Sequence, residues 1–260
     1  MPYSSLREYL ANFENLADEC AYVHRRGYRT ERWSYRQIAR TAFQFARELA
    51  SRGVGKGDRV LIWGENCAEW VAAFFGCVAQ GAVVVPMDNF ATAEFAHRVY
   101  QQVGAKLLVC SRHHASQEPA GATVILEDLA EVVDGYQDTP YMGGEVRTGD
   151  TLEIIFTSGT TAEPKGVVIA HSNVLANITP LENEIRKYLK YERWVHPVRF
   201  LNLVPLSHVF GQFMGIFLPQ LMGGTVFFQE AMSPSEVVHT IRRERISVLV
   251  AVPRMLQSLK

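Results

Sequence analysis

A run of hydroxyl side chains beside a glycine and a lysine carries the clearest chemical signal in this sequence. Residues 156–166 read FTSGTTAEPKG. Glycine lets the backbone bring amide N–H groups close to a ligand, and hydroxyls add donors that rotate to fit. Successive amides in such a turn bind anions, and the lysine adds a positive charge. The run therefore predicts a loop that binds phosphate oxygens through Thr157, Ser158, Gly159, Thr160, Thr161, Lys165 and Gly166.

The position of this loop supports the same prediction. It lies between two segments with strand character, 152–156 and 167–170, which we expect to be buried strands. Pro164 and Gly166 on either side of Lys165 favour a bent segment over the start of a helix. The loop does not fit GxxxxGK[ST], which needs glycine in place of Pro164 and Ser or Thr in place of Gly166. An ordinary surface connection is the alternative interpretation.

A second motif, LVPLSHVFG at residues 203–211, places a histidine after a strand and before an apolar helix. His208 would then lie at the carboxyl end of a strand, which is where open α/β sheets bind ligands. A lone histidine at a strand end is more often structural. The apolar side chains that follow either line a channel or pack in the core, and the core is the simpler interpretation for most of Phe210, Phe213, Met214, Ile216 and Phe217.

Strands and helices alternate in the first half of the sequence. Ser34 and Gln37 form the S-x-x-Q pattern of a capping box, which predicts a helix up to about Ser51. The apolar pattern then predicts strands at 59–63, 83–86 and 106–110, with helices at 66–80 and 92–103. This alternation is typical of a doubly wound parallel sheet. We therefore expect an α/β fold, with layered parallel-rich sheets and flanking helices.

The domain organisation follows from a change in composition near the middle of the chain. Residues 134–150 are rich in Gly, Asp, Tyr and Pro, so we interpret them as a connection. We expect a first α/β subdomain at 1–150 and the start of a second, with the phosphate loop, at 151–260. A helix should run from His171 to about Lys190, and Pro180 should kink or interrupt it. His171 is predicted to be a hydrogen-bonding residue at the helix start.

Composition excludes several classes of function. The chain has 260 residues and a formal net charge of −1, which gives no electrostatic case for nucleic acid. Its four cysteines lack the spacing of a zinc site or a disulfide framework. The N-terminus has charges throughout, so a secretory signal is not expected. Residues 209–228 fit a helix followed by a strand better than a membrane span. These observations indicate a cytoplasmic protein.

The loop TSGTTAEPKG resembles the signature loop of the adenylate-forming superfamily. That superfamily contains acyl-CoA synthetases, fatty acyl-AMP ligases, peptide synthetase adenylation domains and luciferases. The usual pattern has glycine where this chain has Ala162. This departure leaves the hydroxyls and Lys165 in place. Two weaker matches are the aromatic segment 33–35 and the segment 81–88, which resembles the glycine-to-proline strand of the family. PLSHVFG also matches a family motif, so the resemblance covers nearly the whole chain.

The resemblance implies a two-step reaction. A carboxylate attacks the α-phosphate of ATP, and the acyl group of the acyl-adenylate then passes to a thiol such as CoA. It implies Thr157 as a hydroxyl ligand of Mg²⁺, and it places His208 beside the acyl pocket as a gate or orienting group, with Val209, Phe210 and Gly211 in the substrate pocket. The chain is most like a long-chain fatty-acid–CoA ligase. The alternatives are a fatty acyl-AMP ligase that loads a carrier protein, a non-catalytic nucleotide-binding module, and half of a split enzyme.

Several motifs of the complete family are missing from these residues. They are the aromatic-Gly-x-Thr-Glu motif, the aspartate that holds the ribose, the hinge, and the C-terminal domain with its catalytic lysine. We therefore expect no complete catalytic set in this chain, with most of the adenine and CoA sites outside it. We also expect weak or no adenylation by the chain alone, and an exposed sheet edge with apolar surface. A complementary C-terminal chain and peripheral contact with a membrane are further expected partners.

Overall fold

Strands and helices alternate along the chain in a computed structural model that describes residues 5–117, 122–157, 163–192, 196–229 and 232–258. The strands are β1 (Cys20–Arg26), β2 (Arg29–Ser34), β3 (Arg59–Trp63), β4 (Val83–Met87), β5 (Leu107–Cys110), β6 (Thr123–Ile125), β7 (Thr151–Thr157), β8 (Lys165–Ala170), β9 (Arg199–Asn202), β10 (Thr225–Phe228) and β11 (Val248–Val250). The helices are α1 (Leu6–Leu16), α2 (Tyr35–Ser51), α3 (Ala68–Gln80), α4 (Ala93–Val103), α5 (Leu129–Val133), α6 (His171–Glu192), α7 (Val209–Gln212), α8 (Leu218–Leu221), α9 (Pro234–Arg243) and α10 (Pro253–Ser258). The predicted order of elements in the first half is confirmed.

Two parallel-rich sheets organise these strands. One has five strands in the order β11-β9-β10-β1-β2, and the other has six in the order β6-β5-β3-β4-β7-β8. Within each sheet all neighbours pair in parallel except the last pair, β1 with β2 and β7 with β8, which are antiparallel hairpins. Parallel sheets bury both faces, which explains the nearly continuous Val, Ile and Leu runs of β3, β4 and β5. The predicted α/β fold is confirmed.

The two sheets draw on both halves of the sequence. Strands β1 and β2 come from the start of the chain, yet β1 pairs in parallel with β10. Strand β7 follows the 134–150 connection, yet it pairs with β4. Strands from both sides of residue 150 therefore enter each sheet. The division into subdomains at 1–150 and 151–260 stays a prediction.

Helices α2 and α3 form the centre of the main core. The predicted capping box is present, since the Ser34 hydroxyl accepts from the Gln37 amide at 3.2 Å and Gln37 Oε1 accepts from the Ser34 amide at 2.7 Å. Every residue of α3 is buried, which the apolar 66–80 segment predicted. Cys67, which caps the start of this helix, and Cys77 inside it are buried free thiols, and burial raises the pKa of both. They are core residues, as their apolar surroundings indicated.

Two helical segments depart from expectation. Pro180 lies inside α6, which ends at Glu192, so an interruption of the helix was wrong, whereas a kink at Pro180 stays a prediction. Between α7 and α8, residues 213–217 form a π-helical turn, so the helix that follows His208 is continuous but locally widened. Such turns occur often at functional sites. The prediction of a helix and then a strand at 209–228 is confirmed, and no helix in the described parts of the chain is long and apolar enough to cross a membrane.

The strand after the phosphate loop is exposed, so the expectation that both flanking strands are buried was wrong for one of them. In β7, Leu152 and Glu153 are fully buried. In β8, Val167 is 55% exposed and Val168 is 61% exposed. The physical reason is topological, because β8 is the edge strand of the six-stranded sheet. An apolar sequence marks β8 as a strand but does not say whether another element covers it.

Candidate phosphate-loop and histidine site

The hairpin of β7 and β8 positions the predicted phosphate loop. Thr157 at the end of β7 pairs with Lys165 at the start of β8, so residues 158–164 connect them. Of the predicted contacts, Ser158, Gly159, Thr160, Thr161 and the side chain of Thr157 lie outside the described residues. Lys165 is exposed at the strand end, and Pro164 O accepts from Gln102 Nε2 at 3.2 Å. The exposed ammonium of Lys165 therefore lies at the end of the loop, and the hydrogen bond from Gln102 links the preceding Pro164 to α4.

Gly166 has a packing role that the sequence did not reveal. It pairs with Phe156 across the hairpin. A Cβ added at Gly166 would lie 2.7 Å from Ile154 Cγ2 and 2.9 Å from Phe156 Cζ. These separations are too short for carbon atoms in contact, so the glycine lets β8 lie against the side chains of β7. Packing thus gives a reason for glycine at this position, and its contact with phosphate stays a prediction.

His208 lies beside a carboxylate. Its Nε2 is 3.4 Å from Asp88 Oδ2, and the Phe90 amide donates to Asp88 Oδ1 at 2.8 Å. The hydrogen bond with Asp88 raises the pKa of His208 above its ordinary value, against a smaller opposing effect of burial. The hydrogen bond from His208 lowers the pKa of Asp88. The histidine is thus an oriented and readily protonated group whose side chain remains 53% exposed.

The parallel pairing of β4 and β7 places this ion pair at the sheet edge at which the phosphate loop begins. Val84 pairs in parallel with Glu153. Asp88 directly follows β4 and Thr157 is the last residue of β7, so both lie at the carboxyl ends of neighbouring parallel strands. The structure therefore brings the predicted His208 and the predicted loop to one edge of the sheet. The role of Asp88 was missed, although its place directly after a buried strand was a usable signal.

Two asparagines fix the turn that carries His208. Asn66 Nδ2 donates to Val204 O at 2.9 Å, and Asn66 Oδ1 accepts from the Leu206 amide at 2.8 Å. Asn202 Oδ1 accepts from the Val204 amide at 3.1 Å, and its Nδ2 donates to Gly211 O at 3.3 Å. Both asparagines were missed as site residues. They follow or end strands at the carboxyl edge, where polar side chains have backbone groups to satisfy.

The remaining predicted pocket residues divide between surface and interior. Val209 is 39% exposed and Phe210 is 54% exposed, so both face outward at the start of α7. Gly211 is buried, and a Cβ added there would lie 1.9 Å from Pro205 O. Ile216 and Phe217 belong to the core, as the simpler interpretation predicted. Close approach of α7 to the 203–207 turn thus requires glycine at position 211.

A cavity of about 280 Å³ lies at the carboxyl ends of strands from both sheets. Its lining includes Gly64, Asn66, Asp88, Ser111, Pro205 and Gln229. Each of these residues follows the end of a parallel strand within a few positions. This is the position at which α/β sheets bind ligands. The cavity shares Asp88 and Asn66 with the surroundings of His208.

A half-buried cluster of charges lies at one wall of the cavity, to which it contributes His24 and Arg26. His24 Nε2 lies 3.2 Å from Glu31 Oε2 and 3.6 Å from Glu69 Oε2. Arg26 Nη2 lies 3.0 Å from Glu69 Oε1. Two carboxylates are therefore balanced by one guanidinium and by the histidine when it is protonated. The cluster ties the β1–β2 hairpin to the first turn of α3.

Comparison with known proteins agrees with this arrangement. A family model described as AMP-binding enzyme matches residues 11–260. The chain is 30% identical over 229 residues to feruloyl-CoA synthase from Amycolatopsis sp., covering 87% of this chain and 45% of the relative. It is 29% identical over 249 residues to crotonobetaine/carnitine–CoA ligase from Citrobacter koseri, covering 86% and 45%. The chain therefore spans about half the length of the curated relatives it matches.

Solved structures give the same fold. The AMPPNP-bound form of the nonribosomal peptide synthetase FmoA3 superposes with a TM-score of 0.83 at 25% identity, covering 99% of this chain and 26% of that one. The N-terminal domain of FACL13 from Mycobacterium tuberculosis superposes with a TM-score of 0.81 at 23% identity, covering 99% and 65%. The family match, which includes both the phosphate loop and the His208 motif, shows that this chain belongs to the AMP-binding enzymes.

Proposed function

We propose that this chain is the N-terminal part of an ATP-dependent acyl-CoA synthetase. It would activate a carboxylic acid as an acyl-adenylate and pass the acyl group to CoA, in the cytoplasm where both cosubstrates are available. One observation carries the proposal, namely that Asp88 and its partner His208 lie at the carboxyl edge of the sheet, the edge at which β7 leads into the phosphate loop. The names of the relatives, which are acyl-CoA synthetases and ligases, support the reaction class.

The phosphate loop would bind the triphosphate. Thr157, Ser158, Gly159, Thr160 and Thr161 would donate hydrogen bonds, and Lys165 would neutralise phosphate charge. The described part of this site fits such a ligand, because Lys165 is exposed at the sheet edge where the loop emerges. Mg²⁺, which prefers oxygen ligands, would be held by Thr157 together with phosphate oxygens and water. The ion would neutralise the charge that builds up on the phosphate oxygens.

His208 would orient the reacting carboxylate rather than activate it. A carboxylate is already ionised at neutral pH, so it attacks phosphorus without a general base. Asp88 raises the pKa of His208, so the imidazole is cationic over a wider range of pH and can attract an anion. Because its side chain is half exposed, it is also accessible to a bound carboxylate. These properties suit a gate at the mouth of the acyl site.

The acyl substrate is proposed to be a long-chain fatty acid. The resemblance of PLSHVFGQ to long-chain fatty-acid ligases supports this choice. The relatives by name act on varied acids, including feruloyl and crotonobetaine or carnitine substrates, so a substrate screen is the direct test. Carboxylate-dependent exchange of labelled pyrophosphate into ATP, compared for fatty, aromatic and short acids in a protein that contains this chain, ranks them. Preference for a short or aromatic acid would replace the fatty-acid assignment.

The Lys165→Ala variant tests the phosphate site itself. We expect it to weaken ATP binding by about tenfold or more, since charge-assisted contacts contribute about 1.5–3 kcal/mol each. Lys187→Ala is the matched control, because Lys187 is an exposed lysine paired with Glu184 on α6. Calorimetric titration of the 260-residue chain with MgATP measures the ATP affinity of both variants. Equal affinity in the two variants would remove Lys165 from the site. ATP binding without pyrophosphate exchange in a longer protein that contains this chain would favour a nucleotide-binding module.

A further inference from the structure

Glu153 is a fully buried carboxyl group between the two halves of the site. It lies on β7, four residues before Thr157, and it has no solvent exposure. Its Oε2 accepts from Gln212 Nε2 at 2.8 Å. Gln212 is the last residue of α7, the helix that begins after His208, and it is 1% exposed. One hydrogen bond thus joins the strand that leads into the phosphate loop to the helix that follows the histidine.

The hydrogen bonding of this pair is incomplete without a further proton. Glu153 Oε1 and Gln212 Oε1 are both buried and lack a hydrogen-bond partner. Both are acceptors if Glu153 is ionised, and neither can then satisfy the other. If Glu153 Oε1 carries a proton, it becomes a hydrogen-bond donor. Gln212 Oε1 is an acceptor that lacks a donor, so the two atoms can then pair. A carboxylic acid and a primary amide can then exchange two hydrogen bonds.

No cationic side chain in the described part of the chain contacts Glu153. Strand β4, its parallel neighbour, contributes Val, Pro and Met side chains only. The charged or titratable groups at the ends of the neighbouring segments are Asp88 after β4, Asp150 before β7, Lys165 at the start of β8, His171 at the start of α6 and His208 before α7. Among the described residues no ion pair involves Glu153. A buried charge without a counter-ion is costly, so the neutral form is favoured.

We propose that Glu153 is held as a neutral carboxylic acid paired with the Gln212 amide, and that this pair couples the strand entering the phosphate loop to the helix after His208. Burial raises the pKa of Glu153 to about 7, which agrees with the geometry. Below that pH the pair is closed. Above it, a carboxylate would repel Gln212 Oε1 and loosen the link. The positioning role rests on the proposed function of the loop, whereas the protonation state does not.

The Glu153→Gln variant separates this proposal from a merely structural role. An amide at position 153 supplies the same two hydrogen bonds as the neutral acid and cannot ionise. Glu14→Gln is the matched control, since Glu14 is exposed on α1. In urea titrations of the 260-residue chain from pH 5 to pH 8, the unfolding equilibrium constant of the wild type should rise relative to that of Glu153→Gln by on the order of 100-fold. The Glu14→Gln control should keep the wild-type pH dependence.

Nuclear magnetic resonance measures the coupling directly and needs no nucleotide. The ¹³C carboxyl signal of Glu153 should titrate near pH 7, and the backbone amides of Thr157 and Gly211 should shift with the same midpoint. Both amide shifts should disappear in Glu153→Gln. A Glu153 carboxyl that titrates near its ordinary value would overturn the neutral pair. Amides of Thr157 and Gly211 that titrate unchanged in Glu153→Gln would overturn the coupling. Failure of ATP to bind would instead count against the proposed function.

Discussion

His208 and Asp88 form an ion pair, with Nε2 and Oδ2 3.4 Å apart, across the carboxyl edge of the six-stranded sheet. The pair joins two segments that are far apart in the sequence, the turn after β4 and the turn before α7. Each partner shifts the pKa of the other, since the hydrogen bond favours the charged form of both. The histidine is therefore oriented by its neighbour.

Replacing Asp88 with asparagine should lower the pKa of His208, because the carboxylate that stabilises the imidazolium is removed. Because the pKa of His208 is raised in the fold, protonated His208 stabilises the folded state at acid pH, and this stabilisation is lost as the pH rises through the pKa of His208. Because the pKa of Asp88 is lowered in the fold, ionised Asp88 stabilises the folded state, and this stabilisation is lost as the pH falls through the pKa of Asp88. Titration of the His208 ring protons by nuclear magnetic resonance measures the change. Asp138→Asn, at a surface pair with Arg40, is the control and should leave His208 unaffected.

Replacing Asn66 with alanine should loosen the turn that carries His208. The change removes two hydrogen bonds and leaves Val204 O and the Leu206 amide in need of partners. We expect a loss of about 2 kcal/mol in the free energy of unfolding. Denaturant titration measures it, with Asn177→Ala on the exposed face of α6 as the control. A loss no larger than that of the control would show that the turn does not depend on Asn66.

Replacing Gly211 with alanine should push α7 away from the 203–207 turn. The new Cβ would lie 1.9 Å from Pro205 O, which is part of the backbone and cannot move aside cheaply. Overpacking of this kind costs about 1–3 kcal/mol. Gly135→Ala is the control, since a Cβ there has no neighbouring atom within 4 Å. Equal stability of the two variants in urea would contradict the close approach of the helix.

Acid should destabilise the chain through His171. This histidine is 2% exposed, and its Nδ1 accepts from the Leu6 amide at 3.2 Å, so it is neutral in the fold. Burial lowers its pKa to about 4 from an ordinary 6.5, so the unfolded chain binds the proton first. The free energy of unfolding therefore decreases as the pH falls from about 6.5 towards 4, by about 3 kcal/mol over the whole range.

The His171→Asn variant isolates this effect. Asparagine can still accept from the Leu6 amide through its side-chain oxygen, but it does not titrate. Urea titrations at pH 7 and pH 4 should show a smaller acid-induced loss of stability in this variant than in the wild type. The exposed His239→Asn is a control and should behave as the wild type. An unchanged acid response in His171→Asn would show that other groups dominate.

The fold was largely predictable because its signals are local. The capping box of Ser34 and Gln37 fixed the start of α2, and the apolar runs fixed β3, β4 and β5 to within a residue or two. The exposure of β8 was not predictable in this way, because Val167 and Val168 look the same in an edge strand and a central one. The order of strands in the sheet decides which position they occupy.

The sequence alone determined the family, since the FTSGTTAEPKG loop and the PLSHVFG motif each lie within a few consecutive residues. It also placed His208 at a strand end, because the pattern of strand, turn and helix is local. Only the tertiary structure decided which groups act on these motifs. Asp88, Asn66 and Glu153 reach the site through long-range strand register and helix packing. Such contacts depend on how distant segments pair, and residue types along the chain do not record that pairing.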